Sequence, residues 1–163
     1  MAPMEPVKTE RFEVSREIAA SPTRIFGLLC DPQGHVAIDS SGMLQSADGD
    51  PVRKAGDSFI VHMDREALGD LPMGKYDVTV VITRFEQDSL IEWTPTSPDF
   101  TPAVNHHYGY RLQPTANGTH VTSYYDWSRI HDRYRAAGVF PILQRSALRA
   151  TLGILARTVE HGA

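Results

Sequence analysis

The stretch VFPILQRSALRATLGILARTVEH, residues 139–161, decides the fold. Placed on a helical wheel at roughly 100° per residue, it separates into two halves. Phe140, Leu143, Ala147, Leu148, Leu152, Ile154, Leu155 and Val159 fall on one half, and Arg145, Ser146, Arg149, Gly153, Arg157 and Glu160 on the other. The spacing predicts one long amphipathic helix with Pro141 in its first turn, since deeper it would break the helix. Gln144 and Thr151, seven residues apart, sit near the centre of the apolar half. An unpaired buried polar group costs about 1–3 kcal/mol, so both need partners. Two solutions are open. The pair faces a cavity that holds water or a ligand, or Gln144 bonds a sheet side chain while Thr151 bonds its own helix carbonyl.

Upstream, residues 9–138 read as strands with two short helices near the start. Phe12, Val14, Arg16 and Ile18 alternate with polar residues, the period of a half-buried strand. Ser21-Pro22 and Asp31-Pro32 each join an N-cap residue to a proline suited to the first helical position, and they open short helices ending near Cys30 and Ile38. Met43–Ala47, the alternation of Phe59, Val61 and Met63, that of Tyr76, Val78, Val80 and Ile82, and Leu90–Thr94 with Trp93 supply four strands. Pro95, Pro98 and Pro102 mark a loop, as does 69–74 with Pro72. Val104, His106, Tyr108, Tyr110 and Leu112 share one face of the next strand; Asn117-Gly118 signals a hairpin; Val121, Ser123, Tyr125 and Trp127 share a face of the last strand. Residues 129–138 read as irregular or a single turn. Helices segregated from an antiparallel sheet define an α+β fold. The organisation expected is a flexible terminus over 1–8 and one domain over 9–163.

Composition narrows the function classes. With 163 residues, 41% hydrophobic and 22% charged, the chain can bury a sizeable core. A net charge of −4 argues against broad nucleic-acid binding. No apolar run reaches the roughly 20 residues that span a bilayer, and residues 1–10 lack a signal-peptide core. The single cysteine, Cys30, allows no internal disulfide and reads as a buried, inert thiol in a cytoplasmic protein. Seven histidines show no close helical ligand spacing, and His106 and His107 point to opposite faces of a strand, so no metal is expected. Asn117-Gly118-Thr119 matches a glycosylation acceptor and, without a secretion signal, reads as a turn. From Arg129 onward six arginines stand against Asp132 and Glu160. The helix face bearing Arg145, Arg149 and Arg157 is a solvated back or a site of transient contact with anionic lipid or an acidic partner.

Ile18-Ala19-Ala20-Ser21-Pro22 leading into Ile25-Phe26-Gly27-Leu28-Leu29, then Asp31-Pro32, resembles the START/Bet v 1-like (SRPBCC) superfamily, and within it the bacterial polyketide cyclase/dehydrase and lipid-transport group. Gly118-Thr119-His120-Val121-Thr122 before Tyr124-Tyr125-Asp126-Trp127-Ser128, and the closing helix, extend the resemblance over Phe12–His161. It implies a helix-grip fold, in which a curved sheet wraps the long helix and leaves a cavity for apolar molecules. It also places His35 and Asp39, at the second short helix, on the cavity mouth. The glycine-rich loop of the plant allergen branch is absent, and one cysteine cannot ligate a Rieske cluster.

The expected lining is Phe59, Val61, Met63, Tyr76, Val78, Val80, Trp93, His106, Tyr108, Tyr125, Trp127, Phe140, Leu143, Gln144, Ala147 and Thr151, with His35 and Asp39. Such a wall suits sterol-like, aromatic or acyl ligands. The function expected is binding of a hydrophobic small molecule for carriage or sequestration, without a cofactor, by a monomer or homodimer. Two alternatives stand beside it. One is a polyketide cyclase or dehydratase with His106, Tyr108 and Tyr125 as acid–base and enolate-stabilising groups. The other is a protein-interaction module docking through the arginine face.

Overall fold

The computed structural model describes residues 9–69 and 73–161; the terminus at 1–8 and Pro72 lie outside them. The elements run β1 (Arg11–Ile18), α1 (Pro22–Cys30), α2 (Pro32–Ile38), β2 (Leu44–Asp48), β3 (Ser58–Asp64), β4 (Lys75–Glu86), β5 (Leu90–Thr96), β6 (His107–Thr115), β7 (Gly118–Asp126), α3 (Asp132–Ala137) and α4 (Arg145–His161). The strands form one antiparallel sheet in the order β1-β7-β6-β5-β4-β3-β2. Consecutive strands pair from β2 to β7, and β1 closes on β7, so β1 and β2 are the two edges. Helices α1 and α2 carry the chain from one edge to the other. Their starts are capped as the sequence predicts: Ser21 Oγ accepts from Arg24 N and Asp31 Oδ1 from Gln33 N.

Helix α4 buries Leu148, Leu152, Leu155, Ala156 and Val159. It packs on β1 and β7 at one side of the sheet and on α1 and α2. This is the helix-grip arrangement. Cys30 is buried, and burial pushes its thiol up to about 11, which suits a packing role.

Four local expectations are corrected. The last helix starts at Arg145, not Val139. Residues 139–144 are non-helical, Phe140–Pro141 is a cis peptide, and Pro141 therefore lies outside the helix. Pro95 lies inside β5, opposite Val80 of β4. Pairing of β5 with β6 stops at Trp93–Tyr108, so beyond Trp93 one side of β5 is a free edge, where proline is tolerated. The β6–β7 hairpin pairs Thr115 with Gly118, so its two-residue turn is Ala116-Asn117 and glycine is not one of the central positions. Gly118 serves another purpose. Its φ is +153°, and a Cβ there would meet the Ile18 carbonyl oxygen at 2.1 Å. The hairpin abuts the β1–α1 junction at this point. Residues 132–137, expected to be irregular or a turn, form α3, ended by Gly138 at φ +72°.

On the outer face of the sheet, the Tyr124 ring lies across Gly109, where a Cβ would meet Tyr124 Cζ at 2.3 Å. Tyr124 Oη donates to buried Glu92 (2.9 Å), whose second oxygen accepts from Thr83 Oγ1 (2.7 Å). Near the β2 edge, His62 bridges Asp77 through Nδ1 (2.7 Å) and Asp48 through Nε2 (2.6 Å), across three adjacent strands. Both ring nitrogens donate to carboxylates, so the imidazolium is the paired form and the His62 pKa is raised.

Gly118→Ala is expected to destabilise the fold by about 1–3 kcal/mol from backbone strain alone, before the clash is counted; a denaturation midpoint equal to wild type would contradict that role. The His62 pairs stabilise fully below the unfolded histidine pKa, and their contribution is lost as pH rises through the raised folded value. The melting-temperature deficit of His62→Ala should accordingly be larger at about pH 6 than at about pH 9, and an equal deficit at both would show that the charge pairs contribute nothing.

Candidate functional site

Between the sheet and the start of α4 lies a cavity of ≈ 340 Å³. Its sheet wall follows from strand register. Val61 stands opposite Val78, and Met63 opposite Tyr76, on β3 and β4. Trp93, Tyr108 and Tyr125 stand in one transverse row across β5, β6 and β7. Their rings stack, with centroids 5.9 Å apart for Trp93–Tyr108 and 4.5 Å for Tyr108–Tyr125. The opposite wall is supplied by His35, Ile38 and Asp39 of the α2 end, by Phe140 and Leu143, and by Leu148 and Thr151 of α4.

Of the residues expected to line the cavity, His35, Asp39, Val61, Met63, Tyr76, Val78, Val80, Trp93, His106, Tyr108, Phe140, Leu143 and Thr151 do so. Tyr125 and Trp127 are buried one layer back: Tyr125 stacks between Tyr108 and Trp127, and Trp127 meets Phe12 edge-on at 4.8 Å. Phe59 is buried beside the His35 ring, at 5.2 Å. Ala147 is half-buried and contributes its carbonyl to Ser40 Oγ (3.2 Å). Gln144 is a correction. It precedes the helix, its side chain is exposed, and its carbonyl accepts from Ala147 N at the first turn (3.0 Å). The wheel position of Gln144 has no meaning where the chain is not helical. Thr151 does face the cavity, and its partner is Ser40, whose Oγ is 2.9 Å from Thr151 Oγ1. That pair ties the end of α2 to the first turns of α4.

The two cavity histidines are both neutral. His35 Nε2–H donates to the Leu29 carbonyl (2.7 Å), and burial lowers its pKa. His106 Nδ1 lies 2.8 Å from Tyr125 Oη. Burial, with a smaller effect from His107, lowers the His106 pKa to about 4. Burial likewise pushes the Tyr108 and Tyr125 phenols up. The Tyr125 hydroxyl is shared between His106 Nδ1 and the Tyr108 hydroxyl. Among the described residues Nε2 has no protein partner. His107 points to the opposite face, where its Nδ1 is buried without a hydrogen bond.

Several lining residues escaped the sequence reading. Arg65 continues the alternation 59, 61, 63 by one more step, so parity alone reaches it. Ser40, Met43 and Phe100 lie outside regular elements and carry no periodic signal. Val139 and Ile142 line the cavity while remaining exposed, at 55% and 43%. They mark its mouth.

Among the described residues, no group of three or more His, Cys, Asp or Glu side chains is arranged to hold a metal ion, and no helix is long and apolar enough to cross a membrane. No curated protein sequence matches the chain. Solved structures share its fold at low identity. Protein CV1439 from Chromobacterium violaceum superposes with a TM-score of 0.67 at 16% identity, covering 93% of this chain and 97% of that one. Protein Ms6760 from Mycobacterium smegmatis gives 0.65 at 15% identity, covering 98% and 97%. The Aha1 dimer from Colwellia psychrerythraea gives 0.61 at 14% identity, covering 93% and 97%. The family model described as polyketide cyclase / dehydrase and lipid transport matches residues 9–160. With that match spanning nearly the whole sequence, the chain belongs to the polyketide cyclase / dehydrase and lipid transport family.

Proposed function

We propose that the protein binds a hydrophobic small molecule, a lipid, polyketide or aromatic compound, between its sheet and α4, and carries or sequesters it. The observation that carries this reading is the ≈ 340 Å³ cavity, with a wall of valines, methionines and aromatic rings and few polar groups. A cavity with such a lining gains free energy by exchanging water for an apolar guest. Exposed Val139 and Ile142 give the guest an apolar threshold at the mouth. The exposed arginines of α4, Arg145, Arg149 and Arg157, offer a basic face for transient contact with anionic lipid. The reading places the protein in the cytoplasm, as a monomer or homodimer.

The titration of the polar groups favours binding over cyclase chemistry. General acid–base catalysis is most efficient with a pKa near the working pH. An imidazole lowered to about 4 is a weak base, and phenols raised by burial are weak acids. His106 and Tyr108, which line the cavity, orient a ligand oxygen by hydrogen bonding in this state, with Tyr125 holding His106 from the layer behind. A protein-interaction role would be favoured by a filled core, which the cavity argues against.

Filling the cavity from either wall should weaken the binding of an uncharged fluorescent probe such as N-phenyl-1-naphthylamine by about tenfold or more, or about 1.4 kcal/mol. Val78→Phe on β4 and Leu148→Phe on α4 are the variants, with circular dichroism as the control for folding. Wild-type affinity in both would contradict binding at this site. Wild-type affinity for the same probe is expected to stay constant between about pH 5 and 8, because His106 remains neutral throughout. A titration midpoint near neutrality that disappears in His106→Phe would return His106 to an acid–base role.

A further inference from the structure

The Tyr125 hydroxyl, one layer behind the cavity wall, is fully committed. The Ile142 N–H donates to it, and His106 Nδ1 (2.8 Å) and the Tyr108 hydroxyl share it. A phenol oxygen offers one hydrogen and two lone pairs. Ile142 takes one lone pair, so of the other two neighbours one donates to Tyr125 and the other accepts from it. The directions at His106 and Tyr108 are therefore opposite.

His106 is neutral and carries one ring hydrogen, which leaves two proton arrangements. In the first, Tyr125 donates to Nδ1 and the imidazole hydrogen is on Nε2. Tyr108 then donates to Tyr125 and keeps a lone pair for another partner. In the second, Nδ1–H donates to Tyr125 and Nε2 is an acceptor. Tyr108 then accepts from Tyr125 and keeps its own hydrogen for another partner. In either arrangement Nε2 and the Tyr108 hydroxyl are one donor and one acceptor.

Both ends of this chain of hydrogen bonds bear on the cavity. His106 and Tyr108 line it, with ring centroids 5.4 Å apart. Among the described residues Nε2 has no protein partner, yet it is not sealed in as His107 Nδ1 is. With His106 only 5% exposed, the space that Nε2 opens to is the cavity. Tyr76 and Arg65 act on the Tyr108 hydroxyl electrostatically. Even a hydrogen bond from Arg65 would occupy one lone pair and leave the hydroxyl a free place in both arrangements.

We propose that the guest is a neutral amphiphile ending in a hydroxyl group, an alcohol or phenol, which donates to one end of this chain and accepts from the other. Two hydrogens shifting together reverse the chain, so either orientation of the guest hydroxyl is met. An ether, ester or ketone only accepts, and it leaves one end of the chain buried without a partner. A carboxylate does the same and also gives up the hydration of its charge. The inference rests on the reading that the cavity takes an apolar molecule, and it adds the chemical class of the polar end.

The test is displacement of N-phenyl-1-naphthylamine by decanol and by its isomer methyl nonyl ether, which differ in the hydroxyl hydrogen. In the wild-type protein decanol is expected to compete about tenfold more tightly, or better. Tyr108→Phe and His106→Phe should each cut that preference by about threefold or more, with circular dichroism as the control for folding. If the ether competes as tightly as the alcohol in the wild-type protein, or if decanoate competes more tightly than both, the hydroxyl assignment is overturned and apolar binding stands. If the preference survives intact in either folded variant, the guest hydroxyl is not held between these two ends, and the assignment is likewise overturned. If the probe itself does not bind the wild-type protein, the underlying reading of the cavity fails, and the polar-end assignment fails with it.

Discussion

The structure depends on where α4 lies on the sheet. Its buried face, Leu148, Leu152, Leu155, Ala156 and Val159, packs on β1 and β7 and on the two short helices. The strands β3 to β6 are therefore faced by other groups. Phe140, Leu143 and the α2 end stand across from them, separated by the cavity. A shift of the helix toward the middle of the sheet would close that space, and the same apolar residues would form an ordinary dry core. Ser40 helps hold the placement by hydrogen-bonding both the Ala147 carbonyl and Thr151.

The polar groups around the cavity are arranged to stay uncharged or satisfied. His35 is spent on the Leu29 carbonyl, Asp39 on its own loop, and Thr151 on Ser40. Burial keeps His106 neutral and the phenols protonated. Water expelled from such a wall leaves few broken hydrogen bonds behind, which is the condition under which apolar binding is favourable. The aromatic row across β5, β6 and β7 adds rigid area at little conformational cost, since ring stacking already fixes those side chains.

Much of this was legible in the sequence because strand alternation assigns faces directly. Val61, Met63, Tyr76, Val78, Trp93 and Tyr108 follow that period and line the cavity. Periodicity could not distinguish the cavity surface from the layer behind it, so Tyr125 and Trp127 read the same way as Tyr108. The start of α4 was misjudged because Phe140 and Leu143 keep helical spacing while serving an extended segment at the mouth. That error carried Gln144 inward with them, although it is exposed. Ser40 could not be found, since its partner Thr151 is distant in sequence and nothing local marks the pair. Arg65 was within reach: one more step along 59, 61, 63 arrives at it.

The most direct test of the central claim is native mass spectrometry of the protein purified from its own host, with extraction and identification of any small molecule that accompanies it. The account predicts a stoichiometric apolar adduct, released by organic solvent, whose loss leaves a folded protein able to take up an apolar probe. A protein that arrives empty and also fails to bind such a probe would mean that α4 closes on the sheet in solution, and the account of a ligand-holding cavity would be wrong.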